Sequence, residues 1–135
     1  MVIACLSNLG DICVSKGDYP KALQAVKEIE RIVPDGLSIY QYRILIKVYY
    51  LQHKIDSARY YFNIASELAE DIRDDAQLAY LSFQIELASG NSEEAANSIN
   101  EYIWLSDSIS RMVVSQSAIA AEAKYYKGDF YKLNP

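Results

Sequence analysis

Residues 9–34 read LGDICVSKGDYPKALQAVKEIERIVP, and the fold class can be inferred from this stretch. On both sides of its central GDYP segment, apolar residues recur every three or four positions, which is the spacing of one face of an α-helix. Gly17 ends the first helix. Asp18 or Tyr19 caps the second, which has Pro20 in its first turn and stops at the closing proline. The stretch therefore predicts two helices joined by a short turn.

The first helix carries an apolar stripe that is predicted to face the core. Its members recur at three- and four-residue steps, and they are Ile3, Leu6, Leu9, Ile12 and Cys13. An amphipathic helix of this kind buries one face against a neighbour and leaves the other in water.

The same two-helix unit returns twice. The small residues that open each second helix, Ala22, Ala58 and Ala95, are 36 and 37 residues apart, which is the spacing of a helical repeat array. The units span about 3–36, 38–72 and 75–107, and a further helical pattern at about 108–126 is predicted to cap the last one. The chain, 1–135, is thus predicted to be one all-α domain, an α-solenoid of three antiparallel helix hairpins plus a C-terminal capping helix.

The first unit resembles the tetratricopeptide repeat family. The residues that match the family's order are Leu9-Gly10, Gly17-Asp18-Tyr19, Ala22 and Pro34. The resemblance implies a stack of helix hairpins whose first helices line a concave groove. Small side chains are needed at Gly10 and Ala22 because the helices approach closely there.

The later units depart from this pattern. Ile46 and Phe83 replace the small residue of the first helix, and His53 replaces the turn glycine of the second unit. Glu86 falls where an apolar residue is expected. Either the helix is rotated so that Ile85 and its neighbour Leu87 point inward, which is the preferred interpretation, or Glu86 is partly buried against a cation.

Composition narrows the class of partner. Eighteen acidic and thirteen basic residues give a net charge of -5, so nucleic-acid binding is not expected. No apolar run is long enough for membrane insertion. The sequence predicts a soluble segment, cytoplasmic or periplasmic, and leaves the compartment open.

Catalytic patterns are missing from the sequence. His53 is the only histidine, and it lies in a predicted turn. Cys5 and Cys13 are interpreted as packing residues, too far apart on one helix for a disulfide. The acidic stretch 67–75 lacks the spacing of a calcium loop. We therefore expect no catalytic, cofactor-binding or metal-binding residue, no cofactor and no enzymatic activity.

A second stripe on the first helices of units two and three is more informative. We call it the tyrosine-rich strip, and it consists of Tyr40, Arg43, Lys47, Tyr50, Gln77, Tyr80 and Gln84. By resemblance it would face the groove, so it predicts a non-enzymatic scaffold that binds a protein or peptide segment, with acidic groups favoured. The alternatives are a solvated helix face and a surface for homodimerisation.

The last helix has a weaker resemblance of its own. The run 105–109, LSDSI, and the alanine-rich helix after it look like the end of repeat arrays in bacterial signalling proteins. That resemblance implies the sensor segment of a larger regulatory protein, in which the array precedes a membrane span and an output domain. The alternative is that this helix only caps the solenoid.

Overall fold

The computed structural model describes the backbone of residues 1–133 and the side chains of residues 1–124. Within this part the chain forms six α-helices and no strand. In chain order they are α1 (Val2–Ser15), α2 (Tyr19–Ile32), α3 (Ile39–Leu51), α4 (Ile55–Ser66), α5 (Ile72–Ser89) and α6 (Ser92–Leu133). The predicted all-α class is confirmed.

Local sequence signals set where the helices begin. Asp18 caps α2, because its side chain accepts a hydrogen bond from the backbone N–H of Lys21 at 3.4 Å, and Pro20 lies in the first turn. At the start of α3, Oε1 of Gln41 accepts a hydrogen bond from the backbone N–H of Ser38 at 2.7 Å. Such caps satisfy N–H groups that the helix itself leaves without partners.

The α1–α2, α3–α4 and α5–α6 turns each contain a residue with a positive φ angle. These are Gly17 at 78°, His53 at 59° and Gly90 at 82°. His53 therefore adopts the left-handed conformation that glycine provides in the other two turns. A residue with a Cβ atom reaches this region only with strain, which glycine avoids.

His53→Gly is expected to raise the free energy of unfolding by roughly 1 kcal/mol. The substitution removes backbone strain, and this gain exceeds the extra chain entropy that glycine brings to the unfolded state. Equilibrium urea unfolding measures the effect. Gly17→Ala is the matched control, since it introduces the same strain in another turn and should destabilise. A His53→Gly variant no more stable than wild type would contradict this explanation.

The helices pack in consecutive pairs. α1 packs against α2, α3 against α4, and α5 against α6. The first helices of the pairs also contact one another, α1 with α3 and α3 with α5. Because α3 also contacts α2, it lies at the centre of the helical body.

Two main clusters of buried side chains hold the body together. The first joins α1, α2 and α3 through Cys13, Ala22, Val26, Ile44, Leu45 and Val48. The second joins α3, α4 and α5 through Ile46, Tyr50, Ala58, Ala65, Leu78, Leu81 and Ile85. Residues two apart on a helix point about 200° apart, so α3 can supply Ile44 to one cluster and Ile46 to the other.

The close approach expected at Gly10 is present, and the neighbour is α3. A Cβ atom added at Gly10 would lie 3.1 Å from Cδ1 of Ile44, which is completely buried. A larger residue at Gly10 would therefore push α1 away from α3.

The buried face of α1 differs from the predicted apolar stripe. Leu9 and Ile12 are about half exposed, whereas Ser7, Gly10 and Cys13 are buried. The reason is the short distance between α1 and α3, which admits only small side chains at the contact. The prediction that the apolar stripe of α1 faces the core is correct for Cys13 and wrong for Leu9 and Ile12.

The preferred interpretation of Glu86 is wrong. Glu86 is buried, and its carboxylate binds the guanidinium of Arg59 on α4 while accepting a hydrogen bond from Nδ2 of Asn91 at 2.8 Å. Ile85 points inward as expected, but Leu87 is exposed. Pairing with a cation makes the burial of Glu86 tolerable, as the less favoured interpretation required.

The predicted boundary near residue 107 is also wrong, because α6 runs as one helix from Ser92 to Leu133. The sequence between 104 and 110, WLSDSIS, contains no glycine or proline that would stop a helix. The segment at about 108–126 is therefore the continuation of α6 and not a separate capping helix. Gly128, expected to end the pattern, lies inside α6.

Candidate functional site

The tyrosine-rich strip lies on two helices that contact each other, α3 and α5. Tyr40 and Tyr80 are exposed, and Arg43, Lys47, Gln77 and Gln84 are half-buried. Tyr50 is the exception, because it is buried in the cluster that joins α3 to α5. The expectation that the whole strip lies outside the core is therefore wrong for Tyr50.

A cavity of about 410 Å³ occupies the middle of the strip, and we call it the central cavity. Four residues of the strip line it, together with residues of α5 and α6. The lining consists of Arg43, Lys47, Arg73, Ala76, Gln77, Tyr80, Leu81, Tyr102, Ser106 and Ile109. It combines three cationic side chains with two tyrosine rings and an apolar floor.

Arg43 is held in place by two neighbours. Its guanidinium binds the carboxylate of Asp11 on α1 at 2.8 Å, and its central carbon lies 4.4 Å from the ring centre of Tyr40. Both side chains of the ion pair are largely buried. Arg43 therefore joins α1 to α3, and Asp11 balances much of its charge. Its Nε atom is buried and has no hydrogen-bond partner among the described residues.

Lys47 and Arg73 provide positive charge that no described carboxylate pairs with. Burial lowers the pKa of the Lys47 ammonium below its ordinary value, the nearby charge of Arg43 lowers it further, and Asp11 opposes both effects. A half-buried ammonium in this setting gains from an added anion, because the anion offsets both the desolvation and the repulsion.

The tyrosine rings of the central cavity come from different helices. Tyr80 on α5 and Tyr102 on α6 lie with their ring centres 5.0 Å apart. Tyrosine offers a rigid apolar face with a polar tip, so this pair suits contact with the side chains or backbone of a bound chain.

A second cavity, of about 460 Å³, adjoins the first and shares Tyr80 with it. Tyr50 and Gln84 of the strip line it. Burial raises the pKa of the Tyr50 hydroxyl to about 12, the neighbouring Tyr80 adds to this, and the Gln84 amide partly opposes it. Oε1 of Gln84 is buried without a hydrogen-bond partner in the described part of the chain.

A third cavity, of about 360 Å³, lies at the other end of the strip. Tyr40 and Gln77 line it, and Gln77 also lines the central cavity. The shared residues Gln77 and Tyr80 make the three cavities one continuous surface along α3 and α5. All seven residues of the strip therefore border this surface.

Sequence reasoning missed part of the lining. Arg73 precedes Gln77, Tyr80 and Gln84 at steps of four, three and four, so the spacing along α5 could have identified it. No spacing along one helix could have identified Tyr102, Ser106 and Ile109, because these residues line the cavity only through the packing of α6 on α5.

The residues considered for chemistry are scattered. His53 and Cys5 are exposed on different helices or turns, and Cys13 is buried. In the part of the chain that the structure describes, no three or more His, Cys, Asp or Glu side chains are grouped so that they could hold a metal ion. None of the described helices combines the length and apolar character that crossing a membrane requires.

The geometry is thus that of an open surface with aromatic and apolar walls and local positive charge. It offers hydrogen-bond donors and aromatic faces over adjacent cavities. Such a surface can bind and orient a chain. No protein-family model, no curated protein and no solved structure matches this chain.

Proposed function

We propose that the six helices form an α-solenoid of tetratricopeptide type that serves as a non-enzymatic binding scaffold. Three observations support the repeat architecture. The helices pack in consecutive pairs whose first members also contact each other, and small buried residues, Ala22, Ala58 and Ala95, open the second helices. His53 has the backbone conformation of the turn glycines.

The ligand that fits best is a peptide segment of a partner protein with acidic and apolar side chains. The observation that carries this proposal is the central cavity, where Lys47 and Arg73 lie beside Tyr80 and Tyr102 without a described carboxylate partner. A carboxylate entering here would form charge-assisted hydrogen bonds, which are stronger than neutral ones. Apolar side chains of the same segment would contact the tyrosine faces.

Affinity capture with a charge-reversed cavity tests this proposal. The partner is first captured with immobilised wild-type protein. The variant Lys47→Glu/Arg73→Glu should bind this partner, or an acidic peptide from it, at least about tenfold more weakly than wild type does. Arg43 stays unchanged, because reversing it would also break the contact with Asp11. The peptide's dissociation constant, measured by fluorescence anisotropy, gives the effect.

Lys21→Glu/Lys27→Glu is the matched control, since it makes the same change in net charge at exposed positions of α2. It should bind like wild type, and all three proteins should have the same circular dichroism. Equal losses in both variants would mean that only net charge matters. Unchanged binding in the cavity variant would rule out the central cavity as the site.

A second candidate is the sensor segment of a larger bacterial signalling protein. The observation that favours it is the length of α6, a continuous helix that runs from Ser92 beside α5 to Leu133. A rigid helix of this kind can carry a rearrangement away from the binding body. A gene that continues past Pro135 into a membrane span and an output domain would support this role.

A further inference from the structure

The second cavity differs in chemistry from the central cavity that it adjoins. Its wall includes Leu51, which is 43% exposed, Leu87, which is 59% exposed, and Tyr80, which is 38% exposed. Phe83 completes this wall, with its ring centre 6.0 Å from that of Tyr80. Among the described residues, no carboxylate, lysine or arginine lines the second cavity. It therefore suits a bulky apolar side chain better than a charged one.

The third cavity, at the opposite end of the strip, carries negative charge. Glu70 and Asp74 line it beside Tyr40 and Gln77. The Asp74 carboxylate accepts a hydrogen bond from the backbone N–H of Glu70 at 3.0 Å, and within the described part of the chain neither carboxylate forms an ion pair. An acidic side chain placed here would be repelled. The two ends of the surface are thus not equivalent.

The cavities follow one another at a regular interval. On α5 the residues that line the central cavity centre near Gln77, and those that line the second cavity centre near Gln84. The step from residue 77 to residue 84 corresponds to about 10 Å, because a helix rises about 1.5 Å per residue. Two groups of one ligand that enter these cavities must therefore lie about 10 Å apart. On α3 the step from the third cavity to the central cavity is similar.

This interval matches the repeat of an extended chain. In the polyproline II conformation, side chains three residues apart point in the same direction and lie about 9 Å from each other. Unfolded chains populate this conformation readily. A helical ligand would need about two full turns to span the same distance, and short isolated helices are only marginally stable in water. An extended segment can thus present one side chain to each cavity at steps of three residues.

We propose that this surface recognises the order of three positions in an extended segment. The inference rests on the proposed function of the central cavity, where an acidic side chain of the segment lies beside Lys47 and Arg73. A bulky apolar side chain three residues away, the apolar anchor, enters the second cavity against Leu87. The position three residues on the other side of the acid faces Glu70, where a second acid is disfavoured. The ligand class is a segment with one acidic residue beside an apolar anchor, and not an acidic run.

Selection from a library of random linear peptides displayed on phage tests this order. The bait is the immobilised full chain, and peptides that also bind the Lys47→Glu/Arg73→Glu variant are removed because they bind elsewhere. The remaining peptides should carry an acid and a bulky apolar residue three positions apart. Acids should be depleted three positions on the other side of the acid.

The selection separates failure of this inference from failure of the proposed function. Acidic peptides without a fixed apolar position, or with a spacing other than three, would overturn the inference and leave the proposed function standing. A selection that yields no peptide dependent on Lys47 and Arg73 would overturn both.

Leu87→Ser tests the placement of the apolar anchor. It should raise the dissociation constant of a selected peptide at least about fivefold, because an apolar contact is lost. The same substitution should not affect a peptide whose anchor is alanine, since that contact is already missing. Leu9→Ser makes the same change at an exposed position of α1 and should bind both peptides like wild type. Equal effects of Leu87→Ser on both peptides would overturn this placement.

Glu70→Gln tests the exclusion of a second acid. A selected peptide with an acid added on the side away from its anchor should bind wild type about threefold more weakly, and Glu70→Gln should recover part of this loss. Glu67→Gln is the matched control, because Glu67 is an exposed acid of the same stretch that does not line the third cavity. Equal recovery in both variants, or none in Glu70→Gln, would overturn the role of Glu70.

Discussion

Ile46→Ala is expected to lower the free energy of unfolding by about 2–5 kcal/mol. Ile46 is 0% exposed and packs with Ala58 of α4 and Leu81 of α5. Truncation leaves a cavity where three helices meet, and the surrounding side chains can fill it only in part. Because a small domain has a total stability of roughly 5–15 kcal/mol, this one substitution removes a large share of it.

Chemical denaturation of two further variants calibrates this result. Ile12→Ala makes the same chemical change at a position that is 51% exposed, and it should alter stability by less than about 0.5 kcal/mol. Ile46→Val should fall between them, at about 0.5–1.5 kcal/mol. If Ile46→Ala destabilised no more than Ile12→Ala, the described packing of α3 against α4 and α5 would be wrong.

Glu86→Ala is expected to destabilise the protein by about 1–3 kcal/mol at neutral pH. The substitution removes the acceptor for Arg59 and for Asn91, the two side chains that bind the Glu86 carboxylate. The Arg59 side chain is 40% exposed, so water can partly solvate it, and the loss stays below that of a fully buried pair.

The same ion pair predicts a pH dependence that Glu86→Gln reveals. The hydrogen bond from Arg59 lowers the pKa of the Glu86 carboxyl, while burial opposes it. A carboxyl whose pKa is lower in the folded state stabilises the protein at pH values above its unfolded-state pKa, near 4.5. This contribution to the free energy of unfolding disappears as the pH falls through the folded-state pKa. The difference in the free energy of unfolding between wild type and Glu86→Gln should therefore be largest at pH 7 and decrease below about pH 4.5.

Asp107→Asn provides the control for this measurement. It makes the equivalent change in an ion pair whose side chains are 59% and 80% exposed, where little stability is expected to be lost at any pH. Urea unfolding at several pH values compares the three proteins. A gap between wild type and Glu86→Gln that is constant with pH would contradict a stabilising charge at Glu86.

Much of the local structure follows directly from the sequence. Gly17, Pro34 and Gly90 end helices at or near the predicted positions, and Asp18 caps α2. These features depend on backbone conformations and hydrogen bonds within a few residues, so the local sequence is sufficient to predict them. The periodicity of the apolar residues likewise predicts an all-α chain.

The candidate site could be predicted only in part. The spacing on α3 and α5 identified the seven residues of the strip, but it placed Tyr50 outside the core and missed Arg73 and Tyr102. Spacing shows which residues share a face of one helix, but it does not show which helix covers that face. Tyr50 is buried because α5 packs there, and Tyr102 reaches the cavity because α6 does.

Local sequence was sufficient to predict the helical class, most helix boundaries and the faces on which residues lie together. Packing between helices explains why α1 buries small residues instead of Leu9 and Ile12, why Glu86 is buried against Arg59, and where α6 lies relative to α5. The cause of the difference is the range of the interactions. Burial and pairing depend on side chains that distant parts of the chain bring into contact, whereas helix formation depends on neighbours within a turn or two.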